Sequence, residues 1–361
     1  MNWRKFARQV SRAGVLSGAL AIVVSLVLAP GEPHEHARLA LYGALWLFPH
    51  AVAIAYIASS GKSRGVVAAG IMGLVTLPAL AVPWLPLAGA EVVARWLLVA
   101  VSAVGVVVPL VVAAERGGSL RLSMVLISLS YIYTVSVSAY WLVEGWPSLF
   151  SVYALSILLA YPVPLIYAVT SHSLPATFGD KPLAPVAVLA SLLSGAAGMM
   201  VASGSMRLAA LLAGISVALY VVGSGVSRVG EYFSVAREKT GGQGKAYEGM
   251  AYYLWGHVFV IITVIIIFIM TIYAFSTGLT GRRLILLMIH MYALGFSWMH
   301  VAIHAPMMLP VILGVRHAMR YNLAPYILDL LALVLWPWTG GAALALVMAS
   351  LVTMALIFLK I

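Results

Sequence analysis

Long apolar runs separated by short polar breaks repeat along the whole chain, and each run is long enough to cross ~30 Å of hydrocarbon as an α-helix. Read in order, the runs predict twelve helices, over residues 13–30, 34–59, 65–86, 92–114, 119–143, 148–170, 184–203, 205–226, 251–275, 282–314, 323–338 and 340–359. No stretch has the make-up of a soluble domain. The longest polar segment, Ser227 to Gly249, contains Gly241, Gly242 and Gly244 and reads as a flexible loop between the eighth and ninth helices. The expected fold is an all-α polytopic membrane bundle, a single integral membrane domain over residues 1–361.

Composition agrees with a bilayer as solvent. Hydrophobic residues occupy 63% and charged residues 9% of the 361 positions, and the mean hydropathy is +1.05. The charges then set a direction. With the amino terminus inside, sixteen Lys and Arg residues fall in cytoplasmic segments, and five, Arg38, Arg95, Arg207, Arg282 and Arg283, fall outside. The net charge of +11 therefore expresses topology and affinity for anionic lipid, and no aromatic-basic motif points to nucleic acid. The basic stretch ahead of residues 13–29 has the layout of a secretory signal, yet the helix count and loop charges come out right only if it is the first transmembrane helix. The expectation is a multi-pass protein of the cell membrane with both termini cytoplasmic.

The chain has no cysteine, which excludes disulfides, thiolate-held clusters and covalent c-type heme attachment within it. Histidine supplies the candidate chemistry. His34, His36, His50, His257, His290, His300 and His304 lie in or beside apolar segments, where an ionisable side chain is costly and marks a functional candidate. Two pairs share one spacing: His36 with His50 and His290 with His304, each fourteen residues apart. In an α-helix that interval rises roughly 21 Å over nearly four turns, so both members of a pair would point to one side at two depths. Gly43 and Ser297, seven residues after the first histidine of each pair, would leave room for a planar group on that face.

Two such helices side by side would clamp two b-type hemes, the upper between His36 and His290 and the lower between His50 and His304. His257 and His300 compete for the lower position or for a separate metal site. Bis-imidazole iron is six-coordinate and moves electrons without an open position for substrate. Arg38, Arg282 and Arg283 are suited to pair with heme propionates, or to anchor the interface. Arg316, His317, Arg320 and Tyr321 form a basic inner loop suited to propionates or a quinone head group, which positive-inside placement explains equally well. Asp329, inside the eleventh helix, is a candidate proton carrier or a side chain held by a neighbouring helix. Trp46, Trp298, Trp336 and Trp338 are candidates to pack on porphyrin, or belt and filler residues.

The stretch His290-Met-Tyr-Ala-Leu-Gly-Phe-Ser-Trp-Met-His-Val-Ala-Ile-His-Ala-Pro-Met-Met-Leu-Pro310 resembles the tenth helix of the catalytic subunit of heme-copper oxidases, and His36-Ala-Arg-Leu-Ala-Leu-Tyr-Gly43 resembles the second. The resemblance implies that His36 and His290 ligate a low-spin heme. With His34 and Glu35, the second-helix segment is also similar to NnrS-type heme and copper membrane proteins, and the paired histidines resemble those of di-heme cytochrome b. The chain departs from the oxidase pattern at the reacting centre. Met288 stands where the family places its high-spin heme ligand, and the expected sixth and seventh helices contain no copper-binding histidine.

The expected function is an electron-carrying membrane cytochrome, a subunit of a respiratory oxidoreductase complex. Its partners would be other respiratory subunits or cytochromes, lipid and a quinol donor. The alternatives are a heme-free transporter or metal-handling protein, for which no symmetric pair of broken helices is evident, and an oxygen or nitric oxide reductase-like subunit.

Overall fold

The computed structural model describes residues 2–85, 87–145, 150–314 and 321–358, with backbone alone at 87–90 and 358. Arg316, His317 and Arg320 of the expected inner loop lie outside these residues. The described residues are helical nearly throughout. Eleven helices are long and apolar enough to cross a membrane. We number them span 1 (Trp3–Leu28), span 2 (Pro33–Ser60), span 3 (Ser63–Trp84), span 4 (Glu91–Glu115), span 5 (Gly118–Val143), span 6 (Phe150–Phe178), span 7 (Ala184–Ala202), span 8 (Met206–Gly223), span 9 (Gly244–Ser276), span 10 (Gly281–Leu313) and span 11 (Gly340–Ile357). The expected eleventh crossing is a shorter apolar helix, Ala324–Leu335, whose twelve residues rise only about 18 Å.

The segment read as a flexible loop is mostly ordered. Val229–Thr240 forms a helix whose buried face carries Val229, Tyr232 and Ala236, at helical spacing, and span 9 begins at Gly244. Gly241, with φ +68°, supplies the left-handed stop between them.

Among the described residues four spans depart from a plain α-helix, and span 3 does so by ending in a 3-10 segment, Leu77–Trp84. Span 6 breaks at Tyr161, because Pro162 and Pro164 lack the amide hydrogens that would continue the ladder. Spans 2 and 10 each contain a π-helical segment, Ala40–Leu47 and Met291–Ser297. In span 2 the segment ends next to Pro49, whose ring would crowd the carbonyl four residues back in an α-helix. A π turn takes up about one residue more than an α turn, so each one swings the following residues back by about 100°.

Two apolar cores fill the bundle. One joins side chains of spans 2 to 6 with parts of spans 1 and 7, and the other joins spans 6 to 11 with parts of spans 1 and 2. Spans 1, 2, 6 and 7 contribute to both, and spans 2 and 6 form the seam. Span 1 lies against span 2 along a small-residue stripe: a Cβ added at Gly14, Gly18 or Gly43 would fall 2.7, 2.8 or 2.3 Å from Ala51, Phe48 or Ala21. Gly43 therefore faces span 1. The expectation that it opens room for a planar group is corrected, since Ala21 and Gly18 of span 1 close against it on the side that His36 also faces.

Candidate functional site

The two π segments decide where the paired histidines point. His36 precedes the first and reaches span 1, where its Nδ1 lies 2.9 Å from both the carbonyl oxygen and the Oγ of Ser25. The Ser25 hydroxyl donates to the His36 carbonyl at 3.0 Å, so its oxygen can only accept from the ring. The network thus places the proton on Nδ1 and leaves Nε2 as a bare lone pair. His290 has the same form: Nδ1 donates to the Leu286 carbonyl at 2.7 Å, and the ring stacks on Trp336 with centroids 3.8 Å apart and planes 19° apart. The two imidazoles are half-buried, and the helices that carry them both pack against Phe150–Ala160 of span 6. An Nδ1–H fixed to a carbonyl orients the ring and strengthens the donor nitrogen, which is what a metal-bound histidine requires.

The inner pair is not brought together. His50 follows the π segment and points away from His36's side, into the core of spans 3 and 5. Its Nδ1 lies 2.7 Å from the Tyr131 hydroxyl and its Nε2 2.9 Å from the Thr76 hydroxyl, so both ring nitrogens are occupied. His304 lies instead with His257 and His300, whose ring centroids form a nearly equilateral triangle with sides of 6.3, 6.4 and 6.4 Å. His300 is also fully engaged, donating from Nδ1 to the Phe296 carbonyl and accepting at Nε2 from Tyr220, both at 2.7 Å. Only His257 and His304 keep an unpartnered, buried Nε2. The Tyr253 ring, 4.6 Å from His257 and 5.6 Å from His304, packs against both and leaves no plane for a porphyrin between them. Among the described residues no three His, Asp or Glu side chains converge on a metal position.

The arginines divide. Arg38 is buried and committed: its guanidinium pairs with Glu35 at 2.6 Å and donates to the carbonyls of Pro83 and Leu85 at 2.6 and 2.8 Å, tying span 2 to the end of span 3. Arg282 and Arg283 are exposed at the start of span 10, two turns before His290. Asp329 is buried beside Trp298 and Ser350, neither in hydrogen-bonding geometry with its carboxylate. Met288 is buried in the core of the second half.

A cavity of about 130 Å³ lies at the seam, bounded by Phe48 and Pro49 of span 2, Pro162 and Leu165 of span 6, and His300 and His304 of span 10. Ser297 lines it with a buried Oγ that has no partner. The free space at Ser297 lies against His300 and His304, and not against His290, beside which the spacing argument expected it. The sequence reading missed Ser25, Thr76 and Tyr131 as histidine partners. Their signal was present as hydroxyls inside apolar runs.

Beyond the spans, Asp180 joins the loop after span 6 to the Val229–Thr240 helix. It pairs with Arg228 and accepts from the Tyr232 hydroxyl at 2.8 Å. Partial burial pushes its carboxyl up, but the Tyr232 hydroxyl, the Lys181 amide and Arg228 outweigh it and hold the group below the ordinary carboxylate range. Neither a known protein family, nor a curated protein, nor a solved structure matches this chain.

Proposed function

We propose that this chain is an integral membrane b-type cytochrome that holds heme between His36 and His290 and passes electrons to and from redox partners in or beside the membrane. One observation carries the reading. Two histidines on helices that both pack against Phe150–Ala160 of span 6 each have Nδ1 fixed to a backbone carbonyl and Nε2 bare. The donor set is right for iron porphyrin, which needs two imidazoles where a bare metal ion would need three or more ligands. Bound there, bis-imidazole heme supplies one-electron exchange with no open coordination position.

The protein's own residues do the positioning. Ser25 locks the His36 ring from span 1, Leu286 and Trp336 lock the His290 ring, and the exposed Arg282 and Arg283 place positive charge at the end of span 10 where propionates would emerge. The reading has one heme per chain, because the inner histidines are turned apart. The loop charges orient the chain in the cell membrane with both termini cytoplasmic, so that the heme lies near the outer surface. Lipid surrounds the bundle, and a quinol or a respiratory partner subunit is the electron source.

A pyridine hemochrome assay on protein purified from heme-replete cells tests the proposal. About one noncovalent heme per chain is expected. A colourless preparation opposes it and favours the transporter reading.

A further inference from the structure

The histidine rejected as a ligand is the centre of a hydrogen-bonded chain in the N-terminal half of the bundle. Tyr161, Tyr131 and His50 are fully buried and Thr76 is 1% exposed. Tyr161 donates to the Tyr131 hydroxyl at 2.9 Å, and Thr76 donates to the Met72 carbonyl at 2.7 Å. These two ends fix the direction of every bond between them. Thr76 has given its hydrogen to Met72 and must accept from His50 Nε2–H, while Nδ1 must accept from the Tyr131 O–H. Four side chains from spans 6, 5, 2 and 3 therefore form one wire of uniform polarity.

A charged imidazole is costly in so dry a core, and one aromatic face offsets part of that cost. The Trp46 indole lies parallel to the His50 ring, with centroids 5.5 Å apart and planes 11° apart, within the range at which an aromatic face stabilises a cation. Space for the wire is built in as well. A Cβ at Gly105 would strike the Tyr131 ring at 2.6 Å, so only glycine admits that tyrosine.

We propose that Tyr161, Tyr131, His50 and Thr76 form a proton relay through the membrane interior, with His50 as the transient carrier. A proton from water reaching the Tyr161 oxygen displaces that residue's own hydrogen onto Tyr131, and the hydrogen of Tyr131 moves onto His50 Nδ1. The imidazolium then releases its Nε2 hydrogen to Thr76, which turns from the Met72 carbonyl and passes its own hydrogen on to water. Only O–H and N–H bonds form and break, one proton enters and one leaves. The relay is independent of the heme reading.

Exchange of the His50 Nε2 hydrogen tests it. That hydrogen leaves only after Nδ1 is protonated through Tyr131, and only by way of Thr76. Protein labelled with ¹⁵N at histidine, reconstituted in lipid nanodiscs and moved into D₂O, is followed by NMR, with the signal assigned by its loss in His50→Gln. The expected result is exchange at least tenfold faster in the native chain than in Tyr131→Phe or Thr76→Val, with Thr76→Ser restoring the rate. Tyr161→Phe, which removes only the terminal hydroxyl, gives the same comparison if Tyr131→Phe does not fold. Equal protection of the hydrogen in native and variant proteins overturns the relay and leaves a static hydrogen-bond cluster.

Discussion

Replacing Gly43 with alanine tests how the fold of spans 1 and 2 controls the outer histidine. The new methyl would lie 2.3 Å from the Ala21 Cβ, whereas ordinary contact begins at 3.4 Å, so the two spans must part by roughly 1 Å. Overpacking of this kind costs about 1–3 kcal/mol. The same displacement acts on the Ser25–His36 clamp, which bridges the same two spans. Its 2.9 Å bonds would open to about 3.9 Å, beyond hydrogen-bonding range. Losing a partner that orients a metal-binding imidazole weakens affinity about 10- to 100-fold. Gly43→Ala should therefore lower both the melting temperature in detergent and the affinity measured by heme titration. Adding Ala21→Gly removes the opposing methyl, leaves the nearest remaining atoms at 3.6 Å, and should restore both. A Gly43→Ala protein with native melting and heme affinity, or a double variant with no recovery, refutes this packing argument.

Two further outcomes follow from the same geometry. His50→Leu should leave heme content unchanged while lowering thermal stability, because it strands the buried Tyr131 hydroxyl at a cost of about 1–3 kcal/mol; loss of heme in this variant would return His50 to the ligand set. Asp180 is held below its ordinary range, so its contribution is fully present above the unfolded-state value near about 4 and fades as pH falls through the lowered folded value. Thermal melts of native protein and Asp180→Asn should differ at neutral pH and converge as the carboxylate is protonated in acid, whereas a gap that persists unchanged in acid would contradict the assignment.

The crossings were legible because a membrane helix needs some twenty apolar residues, and that demand is written into composition. The faces of spans 2 and 10 were not legible. A π segment changes the hydrogen-bond partner by one residue without requiring any particular side chain, so the fourteen-residue interval that aligns His36 with His50 on an α-helix sends them to different neighbours. Gly43 was misread for a different reason: it keeps the side of His36, and span 1 closes against that side. The spacing His36 and His290 share still locates two imidazoles of matching form, since both precede their π segments. The Val229–Thr240 helix was hidden by the glycines that end it, although Val229, Tyr232 and Ala236 already carried its buried face. Arg38 looked like a free outer cation, and only the fold shows it consumed by Glu35 and two carbonyls.

The reduced-minus-oxidised absorption spectrum of the purified chain and its histidine variants tests the central claim most directly. The account predicts a low-spin b-type signal that disappears in His36→Ala and in His290→Ala, persists in His50→Leu and His304→Ala, and barely shifts when carbon monoxide is added to the reduced protein. A signal that survives loss of both outer histidines, or one that vanishes with His50 or His304 alone, contradicts it.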